Sequence, residues 1–137
     1  MTAFEWINLR QEAGFPSLNI DIAKKALNGC DILSIHLYDT CIGMIRIIGD
    51  DAYSFYINDM IIIPQHQYKG HGKKLLESAL EFIQAKVVSD SLFSVSLFSN
   101  CDVVNFYMKS DFKKSSEIQL KLYLLNGKRG SRNDVLQ

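Results

Sequence analysis

The apolar positions of this chain change period several times, and each change marks an element. Phe4, Ile7, Leu9 and Ala13 predict a first helix, ended near Gly14 with Pro16 beyond it. Ser17 or Asn19 then opens a short helix carrying Ile20, Ala23, Ala26 and Leu27, closed by Asn28-Gly29. The pattern next becomes β-rich over Ile32 to Tyr38 and Ile42 to Ile48, around Asp39-Thr40-Cys41, which predicts a hairpin. Gly49-Asp50-Asp51 turns into a long strand, Tyr53 to Ile63. Leu75, Leu76, Ala79, Leu80, Phe82 and Ile83 lie on one face of a helix that ends near Val87. Leu92 to Phe98 is a further strand, with Phe93, Val95 and Leu97 alternating against Ser94 and Ser96. A helix from about Val103 to Lys109 and a last strand from Glu117 to Leu125 complete the series. Residues 1–126 read as one domain and the polar, basic residues 127–137 as a flexible tail.

Between the apolar run ending at Ile63-Pro64 and the long helix lies Gln67-Tyr68-Lys69-Gly70-His71-Gly72-Lys73-Lys74. A strand, a glycine-containing turn and a helix N-terminus make an anion site, because the first-turn N–H groups are unpaired and the helix dipole favours negative charge there. Cations in a first turn oppose the dipole by about 0.3–1 kcal/mol each. Lys73 and Lys74 in that position, with Lys69 before them, therefore point to a bound polyanion; the plainer alternative is a solvated basic turn. A dinucleotide fingerprint would place a third glycine where Leu75 stands, and the Gly-Lys-Ser/Thr ending of a Walker-type loop is absent from the sequence.

Ile61-Ile62-Ile63-Pro64 followed by Gln67-x-x-Gly70-x-Gly72 resembles the acetyl-CoA signature of the GCN5-related N-acetyltransferase (GNAT) family. Asn100-Cys101-Asp102-Val103-Val104-Asn105-Phe106-Tyr107-Met108-Lys109-Ser110-Asp111-Phe112 is similar to a second family segment, with Val103 in place of the usual alanine and Asp111 in place of glycine. Asp tolerates the left-handed conformation better than most residues. The resemblance, spanning roughly Gly43 to Phe112, implies an α+β fold. Its mixed, mostly antiparallel twisted sheet is flanked by helices, with the cofactor wedged where two parallel strands splay apart. This is the acyl-CoA N-acyltransferase fold, here expected to lack its first strand and to be shortened at the C-terminus. Missing edge strands would leave a place for a partner subunit, hence a homodimer.

Composition narrows the classes further. Fifteen Lys and Arg balance fifteen Asp and Glu, so no global charge draws the chain to nucleic acid or membrane. Three cysteines without a C-x-x-C spacing argue against a disulfide framework or a zinc site, and His36, His66 and His71 are not spaced as metal ligands. No metal is expected. Cys30, Cys41 and Cys101 are expected as buried small hydrophobes in a reducing compartment, and the protein as cytoplasmic. His36 is expected on the polar face of a strand.

The resemblance also assigns roles. It implies that Gln67, Tyr68, Lys69, Gly70, His71, Gly72 and Lys73 anchor acetyl-CoA. It implies a bulge by which the backbone of Met60, Ile61 and Ile62 meets the pantetheine arm and the acetyl carbonyl, although those side chains equally read as a buried strand. Asn100 resembles the residue that bonds the same arm; otherwise it caps the following helix, with Asp102 as rival. Tyr107 resembles the general acid that protonates the departing thiolate, and its ordinary pKa of about 10 keeps it protonated at neutral pH. Asp59 is the candidate base, or the ligand of an acceptor ammonium, or one half of a structural pair with Arg46. Trp6, Phe15 and Pro16 either wall the acceptor pocket or pack the core. The activity implied is direct transfer of acetyl from acetyl-CoA to a primary amine, a small molecule more than a protein. A CoA-binding sensor or partner subunit without turnover is the alternative.

Overall fold

A computed structural model describes residues 1–88, 91–125 and 128–130. The chain divides into two compact units, Met1–Cys101 and Asp102–Gln137.

In the first unit, α1 (Ala3–Glu12) is opened by a capping box in which Thr2 and Glu5 bond each other's backbone N–H. Its buried side chains are Ala3, Trp6 and Leu9, a strict three-residue spacing; Phe4, expected inside, is 68% exposed. The open choice of cap for α2 (Ile20–Leu27) falls to Asn19, whose Oδ1 accepts from the N–H groups of Asp21 and Ile22. The strands β1 (Asp31–Leu37), β2 (Thr40–Gly49), β3 (Ser54–Ile62) and β4 (Ser94–Leu97) form one sheet in sequence order. The first three are antiparallel neighbours and β4 runs parallel to β3, so the sheet is mixed and mostly antiparallel, as expected. At the β2–β3 turn the Asp50 carboxylate accepts from the N–H groups of Ala52, Tyr53 and Ser54, each at 3.0 Å, which holds it below the usual Asp range.

The core has two sides. On one, Ala3, Trp6, Leu9 and Ala23 of the N-terminal helices pack with Ile42, Met44, Ile61 and Ile63. On the other lies α3 (His71–Lys86), burying Leu75, Leu76, Ala79 and Ile83 over the sheet, while Leu80 and Phe82 are half-buried. Ile45 and Ile47 alternate with Met44 and so face α3. Lys86, at the end of α3, bonds both Asp31 at 2.5 Å and Asp51 at 2.7 Å, and the two carboxylates raise its pKa.

A bulge in β3 decides where the site residues point. Ile47 pairs with Ile57 and Ile45 with Met60, so Asn58 and Asp59 together oppose Arg46. The extra residue reverses the facing of β3 from there on. Ile57 shares the α3 side with Ile47, whereas Asp59 and Ile61 face α1 and α2.

A short 3₁₀ turn, Cys101–Val103, begins on the last residue of the first unit and leads into α4 (Val104–Met108) of the second. Asp111 adopts φ +67°, the left-handed conformation expected of it. The expected strand Glu117–Leu125 is reduced to β5 (Tyr123–Leu125), paired antiparallel with β6 (Lys128–Gly130). Ile118 and Leu120, which would alternate on the longer strand, are 86% and 90% exposed: alternation makes a strand only where a neighbouring ladder receives it. Of the expected tail, only residues 128–130 fall among those described.

Candidate active site

The ladder between β3 and β4 runs from Ser54–Ser94 to Ile57–Leu97 and ends there, while β3 continues from Asn58 to Ile62. From Asn58 on, β3 therefore runs without a ladder partner on the β4 side. The bulge sits at the same point, just before Met60, Ile61 and Ile62, for which it was expected. Those three pair with Ile45, Met44 and Gly43 of β2; Met60 is half-buried and Ile61 is in the core. Gly43 is pressed so close to this strand end that an added Cβ would lie 2.6 Å from the Ile61 carbonyl oxygen.

The loop beyond β3 is tied back to it. Pro64–His66 form a 3₁₀ turn, and Gln67 donates from Nε2 to the carbonyl of Ile62 at 2.9 Å. Gln67, although exposed, thus ties the loop to the strand. Tyr68 is fully exposed with φ +58°, and Gly70 adopts φ +83° as the residue that opens α3. A Cβ on Gly70 would meet nothing within 4 Å, so the turn faces open space. No side chain caps α3 and its first turn holds no acid. The N–H groups of His71, Gly72 and Lys73 precede the first helical bond, Lys74 N–H to Gly70 carbonyl, and have no intrahelical acceptor. Around them, Lys69 bonds the Gln65 carbonyl at 2.8 Å, Lys73 lies 3.7 Å from Glu77, and the rings of His66 and His71 meet edge-on at 6.2 Å. Uncapped donors, excess cations and open space together suit a pyrophosphate.

Asp59 is buried, 4% exposed, and held between two arginines. Arg10 Nη1 donates to Oδ1 at 3.1 Å, and Arg46 Nε faces Oδ2 at 3.3 Å without hydrogen-bond geometry. Arg46 also donates from Nη2 to Asn58 Oδ1 at 2.7 Å, a contact the bulge allows by bringing Asn58 and Asp59 to the same strand neighbour. Trp6 is in the core, with both guanidinium carbons over its ring at 5.8 Å (Arg10) and 5.0 Å (Arg46). Phe15, 40% exposed, lies 5.1 Å from Arg10, and the Pro16 carbonyl accepts from Arg10 at 3.4 Å. Burial first, and the Asp59 charge after it, raise the pKa of the nearby Tyr56 phenol. The pair with Arg46 is one of the alternatives that the sequence offers for Asp59; Arg10 is a partner that the sequence reading misses. Its spacing, four residues after Trp6 on the same helix face, is the signal that would have found it.

Asn100 is exposed at the end of the first unit. Neither it nor Asp102 caps α4, whose first flanking residue is Val103 with no side-chain cap. Tyr107 lies on α4 in the second unit, its ring edge-on to Phe106 at 5.0 Å and to Phe112 at 6.0 Å. Burial raises its pKa, keeping the phenol protonated. The cysteines are free thiols, but not all buried: Cys30 and Cys41 are half-buried and Cys101 is exposed. His36 is exposed on β1, as expected. Among the described residues no group of three or more His, Cys, Asp or Glu is arranged for a metal, and no helix is long and apolar enough to cross a membrane.

Known proteins resemble this chain in sequence and in fold. A stretch of 76 residues is 32% identical to GCN5-related N-acetyltransferase 2, chloroplastic, of Arabidopsis thaliana. The match takes in 56% of this chain and 28% of that protein, so the chain spans under a third of its relative's length. Among solved structures, a protein of unknown function from meticillin-resistant Staphylococcus aureus, described as a probable acetyltransferase, superposes with a TM-score of 0.79 at 25% identity, over 91% of this chain and 93% of that one. The PaiA N-acetyltransferase of Thermoplasma acidophilum, solved with coenzyme A, shares the fold with a TM-score of 0.66 at 20% identity, over 85% and 86% of the two chains. The model of the acetyltransferase (GNAT) domain matches residues 28–114, more than half of the chain, from the turn before β1 through α4. That match assigns this chain to the GNAT acetyltransferase family, and the mixed sheet and the uncapped glycine turn of α3 agree with it.

Proposed function

We propose that this protein is an N-acetyltransferase that moves acetyl from acetyl-CoA to a primary amine of a small molecule, by direct attack while both substrates are bound. The observation that carries the reading is the uncapped N-terminus of α3, entered through Gly70 at φ +83° in the loop that follows β3. The N–H groups of His71, Gly72 and Lys73 would take the pyrophosphate, with Tyr68 and Lys69 at its edge and Gln67 keeping the loop in place. Backbone groups of Met60, Ile61 and Ile62 would receive the pantetheine arm and polarise the thioester carbonyl, with Asn100 as a further bond to the arm. The coenzyme A held by the fold relative from Thermoplasma acidophilum supports this choice of substrate.

The amine nitrogen attacks the thioester carbon, the C–S bond breaks, and the thiolate takes the phenolic proton of Tyr107. The attacking amine gives up its own proton to water. Asp59 is the sequence candidate for that proton, but with each oxygen facing a guanidinium its structural reading is favoured. The expectation of a cytoplasmic protein belongs to the same proposal.

A CoA-binding module without turnover is the second reading, and the occupied carboxylate of Asp59 is what favours it. Tyr107→Phe separates the two. An enzyme loses rate by about a hundredfold or more while acetyl-CoA affinity stays within a few-fold. A wild-type protein that binds acetyl-CoA yet acetylates no amine is the binding module. Because burial raises the Tyr107 pKa, the acid form persists to higher pH. The wild-type rate should therefore hold through neutral pH and fall only above about 10.

A further inference from the structure

Where β3 leaves β4, positive charge outnumbers negative. Arg10 and Arg46 both face Asp59, which is the sole carboxylate within 4 Å of either guanidinium among the described residues. Two guanidiniums against one carboxylate leave one positive charge in excess. The surroundings add donors: Trp6 Nε1, Arg10 Nε and Arg46 Nε are buried without a hydrogen-bond acceptor. Beside Asp59, whose Oδ1 accepts from Arg10 and whose Oδ2 is buried without a hydrogen bond, the acceptors are neutral, Asn58 Oδ1 and the Pro16 carbonyl. The two arginine side chains keep 15% and 13% of their surface exposed, so the excess charge can be reached from outside. Charges largely removed from water are normally paired or bound to a ligand, and this cluster lacks half of its counter-charge.

We propose that Arg10 and Arg46 receive a carboxylate of the acceptor, which makes the acceptor an amino acid or another small amine bearing a carboxylate. This rests on the N-acetyltransferase reading and narrows its substrate class. Arg46 lies opposite Asn58 and Asp59, the first residues of β3 beyond its last pair with β4, immediately before Met60. A carboxylate held there sets an amine one carbon away toward the backbone assigned to the acetyl carbonyl. Arginine suits the task because its planar fork matches a carboxylate. The same field disfavours an ammonium and so favours the neutral, nucleophilic amine. An amine without a carboxylate meets that field uncompensated.

The test is thiol release from acetyl-CoA with matched acceptors: α-amino acids, their amides, and the decarboxylated amines. The wild-type protein should show kcat/KM about tenfold or more higher for each acid than for its amide, mostly through KM, the worth of one charged hydrogen bond. Arg46→Gln should level acid and amide, while Arg46→Lys should retain part of the preference. Equal use of acids and amides by the wild-type protein overturns the inference and leaves the acetyltransferase standing. Acetylation of amines with no amino acid accepted overturns it as well. A folded protein that fails to bind acetyl-CoA in a calorimetric titration removes the underlying reading, and the inference with it.

Discussion

Asp59 carries the balance of the buried charge on the α1 side of the sheet. Asp59→Asn keeps the side chain's shape and deletes its charge, leaving two guanidiniums with no counter-ion within 4 Å among the described residues. Breaking a largely buried pair in this way costs about 3 kcal/mol, which for a chain of this size lowers Tm by roughly ten degrees. If Asp59 is structural, activity per folded molecule falls modestly and the rising limb of the pH–rate profile stays in place. A collapse in rate at unchanged Tm would instead make Asp59 the base. The two outcomes are read from one thermal melt and one pH profile. Arg46 is part of the same balance, and its stacking against Trp6 adds a packing role that Lys would not reproduce.

At the scale of elements, the end of β3 is the part most sensitive to a small change. Gly43 of β2 is fitted against Ile61 and Ile62 so tightly that a Cβ would lie 2.5 Å from Ile62 Cδ1 as well as against the Ile61 carbonyl. Gly43→Ala should cost about 1–3 kcal/mol as overpacking. It should also weaken acetyl-CoA binding measurably, because the displaced backbone is that of Ile61 and Ile62; unchanged affinity in the folded variant would move the arm's contacts elsewhere. Most elements were legible in advance: Leu75, Leu76, Ala79 and Ile83 had only one way to share a face, and Asn19 is a strong cap. The bulge was legible only through the family resemblance. Phe55, Ile57, Asp59 and Ile61 are buried in unbroken alternation, so nothing in the pattern reveals that the buried face switches at Asn58. Hence the shared grip of Arg46 on Asn58 and Asp59, and the part taken by Arg10, went unread. The strand Glu117–Leu125 failed for the opposite reason: its alternation is clear, but pairing depends on a neighbour that no local pattern encodes.

For the whole molecule, net charge and local charge tell different stories. Equal numbers of acids and bases make the chain neutral, yet Lys69, Lys73 and Lys74 gather at the N-terminus of α3, which has neither a side-chain cap nor an acid in its first turn. Binding at that end should therefore be local and saturable. Acetyl-CoA should bind the folded chain near one equivalent, and at a hundredfold excess over Kd it should stabilise it by about 2.7 kcal/mol. Raising the salt should weaken binding, since the lysines are exposed and screened. Gly70→Asp, placing a carboxylate where the turn now meets open space, should abolish most of the thermal shift without unfolding the protein. A wild-type protein whose Tm does not respond to acetyl-CoA at low salt would mean that this glycine turn, although built for a polyanion, serves a different one.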